Sequence, residues 1–132
     1  MSNFFVKSSP CLKIPLMAII FDGRAFASQK ESLLKLRVEK LKEKGKIPRL
    51  ASILIGDNPA SKLYVDLKKK AAEQIGVEVD VYSLSDNSKT DEILKLIDSL
   101  NEDKEVHGIM IQLPLPEGLS KDKGRIINTI DY

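Results

Sequence analysis

The spacing of apolar residues along the chain switches repeatedly between the period of a helix and that of a strand. From Ala25 to Lys44, Phe26, Leu33, Leu34, Val38 and Leu41 fall on one stripe at about 100° per residue, with lysines and glutamates opposite. That spacing predicts an amphipathic helix facing the core. Gly45 ends it and Pro48 prevents its resumption. Arg49 to Ile55 is a short, nearly continuous apolar run that suits a buried strand. Gly56-Asp57-Asn58-Pro59 is a turn, with Asn58 as N-cap and Pro59 in the first helical position. A second helix runs to about Ile75, and Gly76 is its natural left-handed terminator.

Val77 to Tyr82 alternates as a strand with one wet face. Ser85 to Thr90 is a polar loop in which Ser88 or Thr90 can cap the next helix. That helix covers about 90–101 and turns Ile93, Leu94, Ile97 and Leu100 inward. Val106 to Ile111 is a third strand. In Gln112-Leu113-Pro114-Leu115-Pro116 two prolines forbid both ladder bonds and helix, so the segment is ordered but irregular. A last helix is expected over about Ser120–Ile130. The order after the N-terminal helix is β-α-β-α-β-α. It predicts an α/β domain, a three-layer open parallel sheet flanked by helices. Ligands of such sheets bind beyond the carboxyl ends of the strands, so Gly56–Ser61 and Gln112–Pro116 are the candidate loops.

Composition narrows the class. With 132 residues, 42% hydrophobic and 30% charged, the chain has room for one ordinary globular domain. Residues 1–17 contain little periodicity and two prolines, and read as an N-terminal extension or a mis-assigned start, with the domain proper at 18–132. Twenty-one basic and 19 acidic residues leave a formal charge of +2, so nucleic acid is not an expected partner. The apolar run Ile14–Phe21 is too short for a bilayer and Pro15 interrupts it, so no membrane association is expected either. Cys11 has no second cysteine to pair with and nothing nearby to activate its thiol. One cysteine and one histidine, His107, cannot build a Cys/His zinc site; no metal is expected, and His107 reads as structural. No two of the seven glycines have the spacing of G-x-G-x-x-G or of a P-loop. Nicotinamide cofactor binding therefore has no parts in this chain.

The residues that suggest chemistry open the second helix. Tyr64 and Lys68 stand at i and i+4 and share a face, with Ser61 one turn earlier. A tyrosine ring can stack on a planar heteroaromatic ligand, and a partly desolvated lysine can shuttle a proton. Gln112, from the other loop, can hold that lysine or the ligand through its amide. On spacing alone the ordinary readings are a solvated lysine within Lys68-Lys69-Lys70, a half-buried tyrosine, first-turn polarity for Ser61, and a Gln112 that ties down backbone. Short-chain dehydrogenases also use Tyr and Lys at this spacing, but they need the glycine-rich turn and a longer chain.

The longer strings decide between these readings. Ile55-Gly56-Asp57-Asn58-Pro59-Ala60-Ser61-Lys62-Leu63-Tyr64-Val65, followed by Lys68, Lys70-Ala71, Glu73 and Ile75-Gly76, closely resembles a signature of the bifunctional methylenetetrahydrofolate dehydrogenase/methenyltetrahydrofolate cyclohydrolase family. So does Val106-His107-Gly108-Ile109-Met110-Ile111-Gln112-Leu113-Pro114-Leu115-Pro116, and Phe21-Asp22-Gly23-Arg24-Ala25 resembles the family's opening segment. The resemblance covers roughly residues 18–132. It implies a folate-binding catalytic domain that interconverts methylene-, methenyl- and 10-formyltetrahydrofolate. Tyr64 would stack on the folate, Lys68 would move protons in the cyclohydrolase step and Gln112 would orient Lys68. Leu113, Pro114 and Ser61 would line the same pocket. The resemblance also implies NAD(P) only through a separate nucleotide domain, a homodimer in the full-length family and a cytoplasmic setting. The family continues into a K-D-V-D-G segment whose aspartate contacts the pterin, whereas this sequence ends at Asp131-Tyr132. The domain is therefore expected to be C-terminally incomplete, monomeric and without dehydrogenase activity alone. A non-catalytic folate-binding fragment and an inactive structural relic are the alternatives.

Overall fold

The computed structural model of the chain describes residues 21–131. The expectations for residues 1–17 and for Cys11 lie outside the described residues.

Strand β1 (Arg49–Ile55) falls where the apolar run places it and forms the centre of a three-stranded sheet of order β2-β1-β3. Both neighbours, β2 (Glu78–Leu84) and β3 (Gly108–Ile111), run parallel to it. With partners on both edges and layers on both faces, β1 is buried from Ala51 to Ile55, which accounts for its lack of alternation. β2 extends two residues past the expected Tyr82, because its ladder follows β1 to the Ile55–Leu84 pair. β3 starts later than Val106. His107 still donates its backbone N–H to the Arg49 carbonyl at 2.9 Å, and its Nδ1 accepts from the Arg49 N–H at 3.3 Å. The structural role expected of His107 has this bond as its physical content. The Arg49 side chain reaches across to Glu78 at 3.1 Å and Asp80 at 3.6 Å. Its hydrogen bond to Glu78 raises the guanidinium above its ordinary value.

Helix α2 (Pro59–Ile75) is bounded as the sequence predicts. The Asn58 side chain accepts from the Ser61 N–H at 3.1 Å, Pro59 opens the first turn, and Gly76 closes the helix in the left-handed region at φ 84°. Helix α3 (Thr90–Glu102) turns Ile93, Leu94, Ile97 and Leu100 inward as expected, but neither Ser88 nor Thr90 caps it. The capping position is Lys89, and the Thr90 hydroxyl instead donates to Asp122 at 2.7 Å. Asp122 is the N-cap residue of the last helix, with its carboxylate engaged by Thr90, and the helix is shorter than the expected run from Ser120 to Ile130. A 3₁₀ turn at Glu117–Leu119 is followed by helix α4 at Lys123–Asn128.

Odd positions of β1 (Ala51, Ile53, Ile55) share one core with Ile93, Ile97 and Ile126 of α3 and α4. Even positions face the opposite layer, where α2 packs and α1 (Gly23–Lys42) packs in turn on α2. This is the predicted three-layer α/β arrangement. The chain leaves β1 toward β2 through α2 and returns past β1 to β3 through α3. The strand order therefore reverses between β1 and β3, and the crevice at their carboxyl ends is where such sheets bind ligands. One expectation for α1 is overturned. Val38 is its one buried residue, while Phe26, Leu33, Leu34 and Leu41 stay exposed. Periodicity located the apolar stripe, but no described element covers most of it. Among the described residues, no helix is long and apolar enough to cross a membrane.

Candidate active site

The two predicted loops lie beyond the carboxyl ends of β1 and β3, at the switch point of the sheet. The Asn58 cap and the Pro59 start fix the first turn of α2 directly above the end of β1. Ser61 and Val65 are the buried residues of that helix, and Lys68, itself exposed, lies one turn on along the same face. From the other side, the Gln112 N–H donates to the Ile53 carbonyl at 2.8 Å, so the irregular segment starts anchored to the central strand.

Lys68 and Gln112 meet there. The Lys68 Nζ donates to Gln112 Oε1 at 2.8 Å. The other end of the same amide, Nε2, donates to the Leu113 carbonyl at 2.7 Å. Gln112 is only 8% exposed, and this second bond fixes which way its amide points: oxygen toward the lysine. One Lys68 donor position is thereby committed, and the others are left for a ligand or solvent. Tyr64 lies one turn before Lys68 on the neighbouring surface and is 58% exposed, so a ring face is open for stacking. This is more open than the half-buried tyrosine of the ordinary reading. Leu113 is also partly open, at the cis Leu113–Pro114 bond. Ser61 behaves differently. It is 3% exposed, its N–H is taken by Asn58, and its hydroxyl has no hydrogen-bond partner among the described residues.

A crevice of ≈ 340 Å³ that the residue pattern does not announce lies between the ends of β1 and β2, lined by Gly56, Asp57, Lys62, Ser83, Ser85 and Asp86. Gly56 is required there. Its φ is +89°, and a Cβ would lie 1.9 Å from the Asp86 carboxylate. Lys62 pairs with Asp57 across the first turn of α2. No local spacing marks Asp86 as a neighbour of Gly56; only the β1–β2 register brings them together. Among the described residues, no group of three His, Cys, Asp or Glu side chains could hold a metal.

Residues 21–132 match the family model described as tetrahydrofolate dehydrogenase/cyclohydrolase, catalytic domain. The chain belongs to this family. The tetrahydrofolate dehydrogenase/cyclohydrolase match includes both loops and every residue singled out above: Ser61, Tyr64, Lys68, Gln112, Leu113 and Pro114. The bifunctional protein FolD of Halalkalibacterium halodurans is 47% identical over 106 residues, which are 80% of this chain and 38% of that protein. The crystal structure of the bifunctional enzyme FolD from Campylobacter jejuni superposes with a TM-score of 0.79 at 45% identity, covering 83% of this chain and 38% of that one. The Trypanosoma brucei dehydrogenase-cyclohydrolase, solved with NADP cofactor and an inhibitor, gives 0.77 at 33% identity, with 86% and 38% coverage. The chain spans well under half the length of the tetrahydrofolate dehydrogenase/cyclohydrolase proteins it matches.

Proposed function

We propose that this chain is the folate-binding catalytic domain of a methylenetetrahydrofolate dehydrogenase/methenyltetrahydrofolate cyclohydrolase, spanning residues 18–132, and that the cyclohydrolase half-reaction is the chemistry its own residues support. The observation that carries the reading is the Lys68–Gln112 bond, which joins helix α2 to the segment after β3, between residues 44 apart in sequence, at the switch point of the sheet. In this reading a tetrahydrofolate derivative lies against Tyr64, with Leu113 and Pro114 as the opposite wall and Ser61 beneath. Gln112 is a positioning residue: with its Nε2 committed to Leu113, its Oε1 holds the Lys68 amine at the open end of the crevice.

Methenyltetrahydrofolate is a cation. Water adds to its one-carbon centre, a proton leaves the adduct, and the ring opens to 10-formyltetrahydrofolate. Lys68, held by Gln112, is the side chain placed to accept that proton. A positioned group of this kind contributes about 10²- to 10⁴-fold to rate. The nicotinamide cofactor of the dehydrogenase step does not fit the residues present, because the glycine spacings that cradle a pyrophosphate do not occur in the sequence. No hydride step is therefore assigned to this chain. Monomeric, cytoplasmic action on a small-molecule substrate belongs to the same proposal.

The test uses two readouts on the full chain: tetrahydrofolate binding by calorimetry, and hydrolysis of methenyltetrahydrofolate followed by its absorbance. Tyr64→Ala is expected to weaken binding about tenfold, as lost aromatic stacking and burial predict. Lys68→Met is expected to lower hydrolysis at least about a hundredfold with binding nearly unchanged. Unchanged hydrolysis in Lys68→Met overturns the catalytic role. Absence of folate binding by the unaltered chain overturns the site.

A further inference from the structure

Three loops converge on Gly56, the residue that follows β1 and leads into α2. Its N–H continues the ladder by donating to the Leu84 carbonyl at 2.9 Å. Because it has no side chain, the Asp86 carboxylate, from the loop after β2, sits where its Cβ would be. Pro116, from the segment after β3, comes within 3.5 Å of the same point. The Asp86 side chain is short and its backbone is set by a tight turn. The Ser88 N–H donates to the Ser85 carbonyl at 3.0 Å, and the Asn87 N–H donates to the Ser85 hydroxyl oxygen at 3.2 Å. Two residues beyond that turn the chain enters α3, whose Ile93 and Ile97 are fully buried.

Gly56 leads into the helix that carries Tyr64 and Lys68. That helix buries only Ser61 and Val65, so it takes little hold from packing and its start depends on residues 56–58. Pro116 lies at the far end of the segment that opens with Gln112, whose near end is anchored on the Ile53 carbonyl. Both halves of the Lys68–Gln112 pair therefore trace back to one junction, and Asp86 backs that junction from the side of β2 and α3. We propose that Asp86 is a positioning residue for this pair: it braces Gly56 against Pro116 and so sets where Lys68 stands over Gln112. The effect on hydrolysis rests on the folate reading above; the brace itself does not. Displaced by a fraction of an ångström, a ring stacked on Tyr64 loses little, whereas proton transfer at hydrogen-bond distance falls steeply. Loss of the brace therefore lowers kcat and spares KM.

The test makes Asp86→Ala, Asp86→Asn, Gly56→Ala and the double variant Gly56→Ala/Asp86→Ala in the full chain and uses two independent readouts. The first is hydrolysis of methenyltetrahydrofolate. Asp86→Ala is expected to lower kcat about tenfold with KM within about twofold. Asp86→Asn keeps the shape, drops the charge and is expected to recover most of that loss. Gly56→Ala is expected to lower kcat at least as far, because its Cβ displaces the carboxylate and its φ strains any side chain. The double variant is expected to lose no more than Gly56→Ala alone, since the brace is already displaced there. The second readout, amide hydrogen exchange, needs no activity. The Lys62 N–H closes the first turn of α2 on the Asn58 carbonyl at 3.1 Å. Asp86→Ala is expected to speed its exchange about tenfold and to leave Ile97 of α3 unchanged. Equal losses in Asp86→Ala and Asp86→Asn, losses that multiply in the double variant, or unchanged exchange at Lys62 each overturn the brace. A chain that neither binds nor hydrolyses folate overturns the folate reading instead, and the exchange at Lys62 then decides the brace by itself.

Discussion

Helices α2 and α3 flank the same sheet and are held by different means. α2 is fastened at its ends, by the Asn58 side chain at one terminus and a left-handed Gly76 at the other, and buries only Ser61 and Val65. α3 has no side-chain cap and ends in an extended residue, but buries Ile93, Leu94, Ile97 and Leu100. A helix that must present Tyr64 and Lys68 outward cannot also bury a wide apolar face. Its position then depends on local backbone chemistry. A helix with no ligand to meet can leave its termini poorly made and rely on packing. The open layer of this domain is the one that carries the candidate site; the sealed layer is the one that buries the core.

The sharpest way to break that division is to empty the sealed side. Ile97 is fully buried in the cluster formed with Ile53, Ile93 and Ile126. Ile97→Ala is expected to cost about 2–5 kcal/mol, by transfer loss plus the cavity left behind. Leu67→Ala on exposed α2 is expected to change stability by less than about 0.5 kcal/mol. Urea denaturation of the two variants measures both. Comparable losses would show that the open layer contributes to the core after all.

The division also explains what could be read in the sequence. The ends of α2 were legible because Asn-Pro and a terminal glycine act through sterics and one local hydrogen bond, which need no knowledge of the rest of the fold. β1 and the inward face of α3 were legible because their burial is nearly complete and their patterns are correspondingly strong. The stripe of α1 misled, since periodicity reports an apolar face and not whether a described element covers it. α4 is shorter than its pattern, and the Thr90–Asp122 bond at its start is a tertiary contact invisible at the level of turns. For the candidate site, the Lys68–Gln112 pairing followed from the rule about strand ends together with the two long motifs. The amide orientation set by Leu113 and the burial of Ser61 required coordinates.

A smaller effect sharpens the contrast in capping. Asn58→Ala removes the one side-chain cap of α2 and is expected to cost about 1 kcal/mol. Because the first turn of α2 carries the approach to Tyr64 and Lys68, the same variant is expected to weaken folate binding by more than its stability loss affects the folded population. Lys89→Ser supplies α3 with the cap it lacks, and is expected to stabilise by about 0.5–1 kcal/mol without changing folate affinity. Calorimetric binding and thermal unfolding, run on the pair, test whether termini matter more on the open side. Equal effects on binding would place the control of the site elsewhere.

The smallest expected effect lies beneath the open layer. Ser52 is on the central strand, 2% exposed, on the face turned toward α2, and its hydroxyl has no hydrogen-bond partner among the described residues. A buried hydroxyl without a partner carries a desolvation cost of about 1–3 kcal/mol that an apolar replacement of similar shape does not. Ser52→Ala gives up little volume and removes that cost, so stability is expected to stay level or rise by up to about 1 kcal/mol. The same exchange at a satisfied position would be destabilising. A loss greater than about 1 kcal/mol would mean that the Ser52 hydroxyl is partnered in solution. The face under α2 would then hold a polar network reaching from the strand toward the crevice, and the two layers would differ in their polar bonding as well as in how much they bury.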